Sequence, residues 1–111
     1  MDSRLFYIVF RKSLASAVWQ KHGANEYVLV GDELAIDHAR LQALAEQTFT
    51  TQVICYPKSR SETVEIPLRS VATYLAANLP PNTTVTVSDP DAKVFLQLHP
   101  LGIARTGSTA S

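Results

Sequence analysis

Glycine, cysteine and net charge are all scarce in this chain of 111 residues, and so are long apolar runs. Each shortage removes a class of function. The apolar run Leu5–Phe10 is stopped at once by Arg11 and Lys12. A membrane-spanning helix needs about 20 apolar residues, so no direct membrane insertion is expected. The 4 glycines, at 23, 31, 102 and 107, form neither GxGxxG nor a phosphate-cradling loop. Ser59, Ser61 and Ser70 lie outside any GxSxG pattern. The single cysteine, Cys55, cannot make an internal disulfide. No secretory signal precedes it, so a reducing, cytoplasmic location is expected. Ten basic and ten acidic residues cancel. No global field therefore favours nucleic acid, while a near-zero net charge leaves self-association open.

What is present suits one globular domain. The apolar share is 46% and the charged share 18%. A single α/β domain is expected over residues 1–104, with residues 105–111 (RTGSTAS) as a disordered tail. The run Leu5–Phe10 is aromatic and β-branched, which favours a strand apolar on both faces. Residues 13–22 fit a short helix through Leu14, Val18 and Trp19 or a strand through Ala15, Ala17 and Trp19; the favoured reading is a second strand over 16–21, hairpinned through Gly23–Asn25 to a third at 26–31. Asp37 can cap a helix over 38–48, with Ile36 and Leu41 as its hydrophobic staple. Residues 52–56 read as a strand closed by Pro57, and 58–63 as a polar loop. Leu68, Val71, Ala72, Leu75 and Leu79 recur at helical spacing until Pro80 and Pro81 stop the helix. Val85 and Val87 alternate with Thr84, Thr86 and Ser88, a strand with one polar face that suggests a sheet edge. Asp89-Pro90 reads as a helix start, placing a helix over 91–99. The alternation of Val94, Leu96 and Leu98 offers a strand as the alternative. The expected fold class is α/β, a single mixed β-sheet with about three helices.

Candidate chemistry is sparse. His22, His38 and His99 share no ligand spacing with Cys55 or a carboxylate, so no metal is expected. His99 suits the end of the last helix, where a cation is favoured. Cys55 lies between Ile54 and Tyr56, and a reactive thiol there would need Lys58 or Arg60 to lower its pKa. Asp37 and Asp89 fit helix caps better than magnesium ligands, and Asp32, Glu33 and Asp91 complete the acids near element ends. The strand and helix order resembles ribonuclease H-like folds. Those nucleases need a carboxylate in the first strand, and RLFYIVFRK has none.

The stretches EYVLVGDELAIDHARLQALAEQ (26–47), IPLRSVATYLAANLPPNTTVTVSD (66–89) and PDAKVFLQLHPLGIA (90–104) resemble the STAS domain family, the fold of anti-sigma-factor antagonists. Gly31 and Leu34 would occupy the family's turn after a strand, and Leu101-Gly102 its closing corner. The regulatory members carry Asp-Ser-Ser-Gly at the start of the second helix, where this chain has Pro67, Leu68, Arg69 and Ser70. Leu68 stands at the phosphoacceptor position and cannot take phosphate. The resemblance implies a degenerate member that works by docking: a non-enzymatic regulatory or accessory domain with no cofactor, meeting a protein partner or a second copy. Lys58, Arg60, Pro67, Arg69 and Ser70 are its expected contact residues. Two alternatives stay open. One is a cytoplasmic scaffold domain of a secretion or pilus machine with a ribonuclease H- or actin-like fold. The other is a small enzyme using Cys55.

Overall fold

The computed structural model describes residues 2–21, 25–31, 35–79 and 82–109. The sequence features at His22, Gly23, Asp32, Glu33, Leu34, Pro80 and Pro81 lie outside them. The described chain folds as α1 (Ser3–Ala15), β1 (Ala17–Trp19), β2 (Val28–Leu29), α2 (His38–Thr48), β3 (Val53–Ser59), β4 (Glu62–Pro67), α3 (Val71–Asn78), β5 (Val85–Ser88), β6 (Val94–His99) and β7 (Ile103–Thr109). A 3₁₀ turn, Leu68–Ser70, leads into α3. The expected single sheet with three helices is present, and all its described pairings are antiparallel. Its strand order is β1-β7-β6-β5-β3-β4, with β2 also paired to β7.

The expected first strand is instead α1. Asp2 caps it, its Oδ1 accepting from the Arg4 and Leu5 N–H groups at 3.0 and 3.2 Å. Phe6, Phe10 and Leu14 then fall one turn apart on one face. Phe10 meets Phe95 of β6 edge-on, ring centroids 5.7 Å apart. A β-prone composition thus yields to a cap and a stripe that together bury two aromatic rings.

Strands β1 and β2 occupy the expected stretches but do not form a hairpin with each other. Both pair with β7, at Trp19↔Gly107 and Val28↔Ala104. Residues 105–109, expected as tail, are therefore a strand inside the sheet. Helix α2 begins and ends as expected, with Asp37 accepting from Ala39 and Arg40. Strand β3 continues through Pro57, and the supposed polar loop 58–63 becomes the end of β3, the turn at Arg60–Ser61 and the start of β4.

The helix expected over 91–99 is β6. Asp89 does cap, but it caps a turn: its Oδ1 accepts from Lys93 and Val94 at 2.8 and 3.1 Å. Ala92, at φ 55°, then reverses the chain in the left-handed region and sends it back along β5. The alternation of Val94, Leu96 and Leu98 prevails. His99 ends β6 rather than a helix, and its Nδ1 accepts from the Leu101 N–H in the turn to β7. Gly102, at φ 90°, completes that turn. Strand β5 is interior, between β6 and β3, not an edge. Its polar face survives there because Thr86 accepts from Gln97 of β6 at 3.0 Å and Ser88 donates to the Asp89 carbonyl at 2.8 Å.

Both sheet faces are covered. Trp19, Gly107, Phe95, Ser88, Cys55 and Glu65 lie in one register row across six strands. Helix α1 packs on that face, around Phe95, Cys55 and Ala92. The opposite face carries the larger core, where Leu41 and Leu44 of α2 and Val71 and Leu75 of α3 meet Ile54, Val87, Leu96 and Leu98.

Two prolines shape the β3–β4 hairpin. Pro57 pairs with Thr63 and Pro67 with Val53, and neither proline has an N–H. These are the non-hydrogen-bonded pairs, so Thr63, Glu65 and Pro67 turn their N–H positions toward the open edge of β4. The Ser3 hydroxyl takes the Thr63 N–H at 3.2 Å, and Pro67 has none to offer. The edge is thereby blunted against strand addition. On the other side of β3, the missing Pro57 N–H leaves Cys55↔Ser88 as the pairing with β5.

Candidate functional site

The hairpin separates the expected contact residues into two groups. Lys58 and Arg60 sit at its tip. Pro67 ends β4 at its base, and Arg69 and Ser70 lie in the adjoining 3₁₀ turn. Five strand steps stand between, about 17 Å. A single small ligand does not touch both.

The basal group is largely structural. The Gln42 side chain of α2 donates to the Leu68 carbonyl at 2.7 Å and accepts from the Ala72 N–H at 3.1 Å. That amide clamps the 3₁₀ turn to α2. Ser70 makes no capping bond with its side chain. Leu68 is half-buried against the larger core. Pro67 and Arg69 border a cavity of about 520 Å³ with Glu46, Gln52, Val53 and Leu68.

The tip group faces a richer surface. A groove of about 720 Å³ runs between α1 and the hairpin turn, lined by Arg4, Tyr7, Ile8, Arg11, Arg60 and Ser61. Arg4, Ile8 and Arg11 stand at i, i+4 and i+7 on one face of α1. Lys12 extends the same helix, and Lys58 precedes Arg60, so five of the chain's ten basic residues gather on two adjoining elements. Among the described residues, the ion pairs are Arg40–Asp37 and Arg105–Glu26, and none of these five takes part in one. Glu62 and Glu65 stand on the next strand without reaching them. The same helix leaves Leu5 61%, Ile8 63% and Val9 42% exposed. Three large apolar side chains beside unpaired guanidinium groups form a surface that lacks a counterpart within the described residues.

Arg4, Tyr7, Ile8 and Arg11 escape a strand reading of residues 5–10. Their signal is present nonetheless: a capping Asp2, a Phe6/Phe10/Leu14 stripe and cations at helical spacing.

The other candidates dissolve into structure. Cys55 has no exposed surface. Burial first, then the negative charges of Glu65 and Asp89, push its thiol from 9.0 up to about 11. The shift runs opposite to the one that activation by Lys58 or Arg60 requires. Asp37 and Asp89 are occupied as caps. Among the described residues no three metal-ligating side chains converge, and no helix is long and apolar enough to cross a membrane.

Arg105 makes a second cluster on the α1 side of the sheet. Its guanidinium lies 3.9 Å from the Trp19 ring centroid and 5.2 Å from that of Tyr27. It donates to Gln97 at 2.7 Å and to Glu26 at 3.0 Å. Every partner is supplied by the fold, and the cluster fastens β1 and the segment before β2 to β7.

Comparison with known proteins finds no matching family model, curated relative or solved structure.

Proposed function

We infer that this chain is a non-enzymatic accessory or regulatory domain that docks an acidic protein partner through α1 and the tip of the β3–β4 hairpin. The observation that carries this reading is the groove itself. Arg4, Arg11 and Arg60 line it without an internal counter-ion, and Ile8 lies among them largely exposed. Guanidinium groups bind carboxylates in paired, charge-assisted hydrogen bonds, and an apolar centre ringed by such groups is the composition of a protein interface. Of the residues expected from the sequence, Lys58 and Arg60 belong to this surface. Pro67, Arg69 and Ser70 form a separate patch at the hairpin base. The resemblance to STAS domains rests on sequence pattern alone, and the docking reading does not depend on it.

Affinity capture tests the reading. Tagged wild-type chain and the triple variant Arg4→Glu, Arg11→Glu, Arg60→Glu are compared for proteins retained from a lysate of the source cells. All three side chains are exposed, so the variant keeps its fold by circular dichroism. Partners retained by the wild type and lost by the variant are expected. An identical set of retained proteins would remove this face from consideration.

A further inference from the structure

We propose that the groove receives an acidic amphipathic helix, lying along α1 and presenting carboxylates seven residues apart. The inference rests on the docking role above and specifies its partner. Arg4 and Arg11 are two helical turns apart, roughly 10.5 Å along the axis, on the same face. A helix laid beside α1 has the same pitch. Carboxylates at its positions i and i+7 therefore meet both arginines, and apolar residues at i+3 and i+4 meet Ile8 between them. Arg60 and Ser61 form the opposite wall.

Other occupants fit less well. An extended peptide would add to the edge of β4, but Ser3 and Pro67 have taken two of its three outward N–H positions. A helix arrives with its backbone already satisfied and needs no such edge. A second copy of α1 would set Arg4, Arg11 and Lys12 against like charges, since the helix carries no acid after its cap Asp2. A bilayer surface satisfies the cations and Leu5, Ile8 and Val9, but it is flat and leaves the wall at Arg60 and Ser61 unfilled.

Two labelled, helix-favouring peptides of identical composition decide the matter by fluorescence anisotropy against the full chain. In the first, glutamates at i and i+7 flank leucines at i+3 and i+4. In the second, the glutamates are moved to i+2 and i+9, off that face. The first is expected to bind at least about tenfold more tightly, with an affinity that falls as salt rises. Arg4→Gln with Arg11→Gln should erase the difference, and Ile8→Asp should weaken the first peptide while circular dichroism stays unchanged. Equal binding of the two peptides overturns the spacing. Binding to phosphatidylserine-containing vesicles with no binding of either peptide reassigns the face to a membrane surface and overturns the helix. Self-association in sedimentation that Arg4→Glu abolishes assigns the face to a second copy and overturns it likewise. Failure here is separable from failure of the docking role. If the charge-reversed variant loses captured partners while both peptides bind alike, the face stands and the helical register falls. If capture is untouched, the face itself falls.

Discussion

Cys55 sits on the α1 side of β3, shut off from solvent between the helix and the sheet. A nucleophilic cysteine works as the thiolate, and a thiol with its pKa raised to about 11 is protonated at neutral pH. The displacement has a thermodynamic consequence with a definite sign. Below about pH 9 the thiol is protonated in both folded and unfolded chains, and its contribution to stability is fully present. Between about pH 9 and pH 11 the unfolded chain releases the proton while the folded chain keeps it, so stability falls as pH rises. Chemical denaturation of the wild type at about pH 8 and about pH 10.5 should show this loss, and Cys55→Ala should show a smaller one. Equal pH dependence in the two proteins would mean the thiol environment has been misread. In parallel, a thiol reagent at about pH 8 should label the native protein only as fast as it opens. Leu68 makes the same point from another direction. Its half-buried side chain joins the larger core, so its place in this chain is a packing role.

At the level of elements, what was legible in the sequence was whatever local chemistry specifies unaided. Helix α2 declared itself through Asp37 and its staple, α3 through the spacing of Val71, Ala72 and Leu75, and β5 through the alternation of Val85 and Val87. Two elements did not. Leu5–Phe10 carries strand-forming residues, and the Asp2 cap together with the burial of Phe6 and Phe10 against Phe95, a contact distant in sequence, decides for a helix. The Asp-Pro signal before β6 is real capping chemistry, but the same carboxylate bonds serve a turn as well as a helix, and Ala92 in the left-handed region settles which. The first error hid half the candidate site. As a strand, residues 4 and 8 share one face and residue 11 takes the other, whereas the helix unites Arg4, Ile8 and Arg11. The pairing of β1 with β7 was invisible for a different reason: it joins residues some ninety positions apart and depends on Gly107. A Cβ there would lie 2.7 Å from the Val18 carbonyl oxygen and 2.8 Å from the Trp19 ring. Backbone cannot give way as a flexible side chain can. Gly107→Ala should therefore cost about 1–3 kcal/mol in denaturant unfolding and shift the emission of Trp19, the chain's single tryptophan, as β1 is pushed from β7. Unchanged stability and emission would show that β1 is held less closely than its register implies.

The whole molecule is three layers, with α1 on one face of the sheet and α2 and α3 on the other. Among the described residues none belongs to both cores, and alternation along the strands explains why. Ile54 and Cys55 are neighbours in sequence, yet Ile54 enters the larger core and Cys55 the smaller. The two cores meet only through strand backbones. Substitutions in different cores should then act independently. Phe10→Leu thins the α1 core and Ile66→Val the α2–α3 core, each costing about 0.5–2 kcal/mol. Their double variant should lose the sum within about 0.5 kcal/mol. Hydrogen exchange adds a spatial test, because Phe10→Leu should lower protection across α1 well before α2 and α3 respond. The partition bears on docking as well. A partner seated on α1 stabilises the thinner layer first, so its binding should raise protection in α1 and the hairpin tip while the larger core stays as it was. A departure from additivity of more than about 1 kcal/mol would mean that the sheet transmits strain between its faces. Docking on α1 would then be felt at the 3₁₀ turn Leu68–Ser70, on the far side of the molecule.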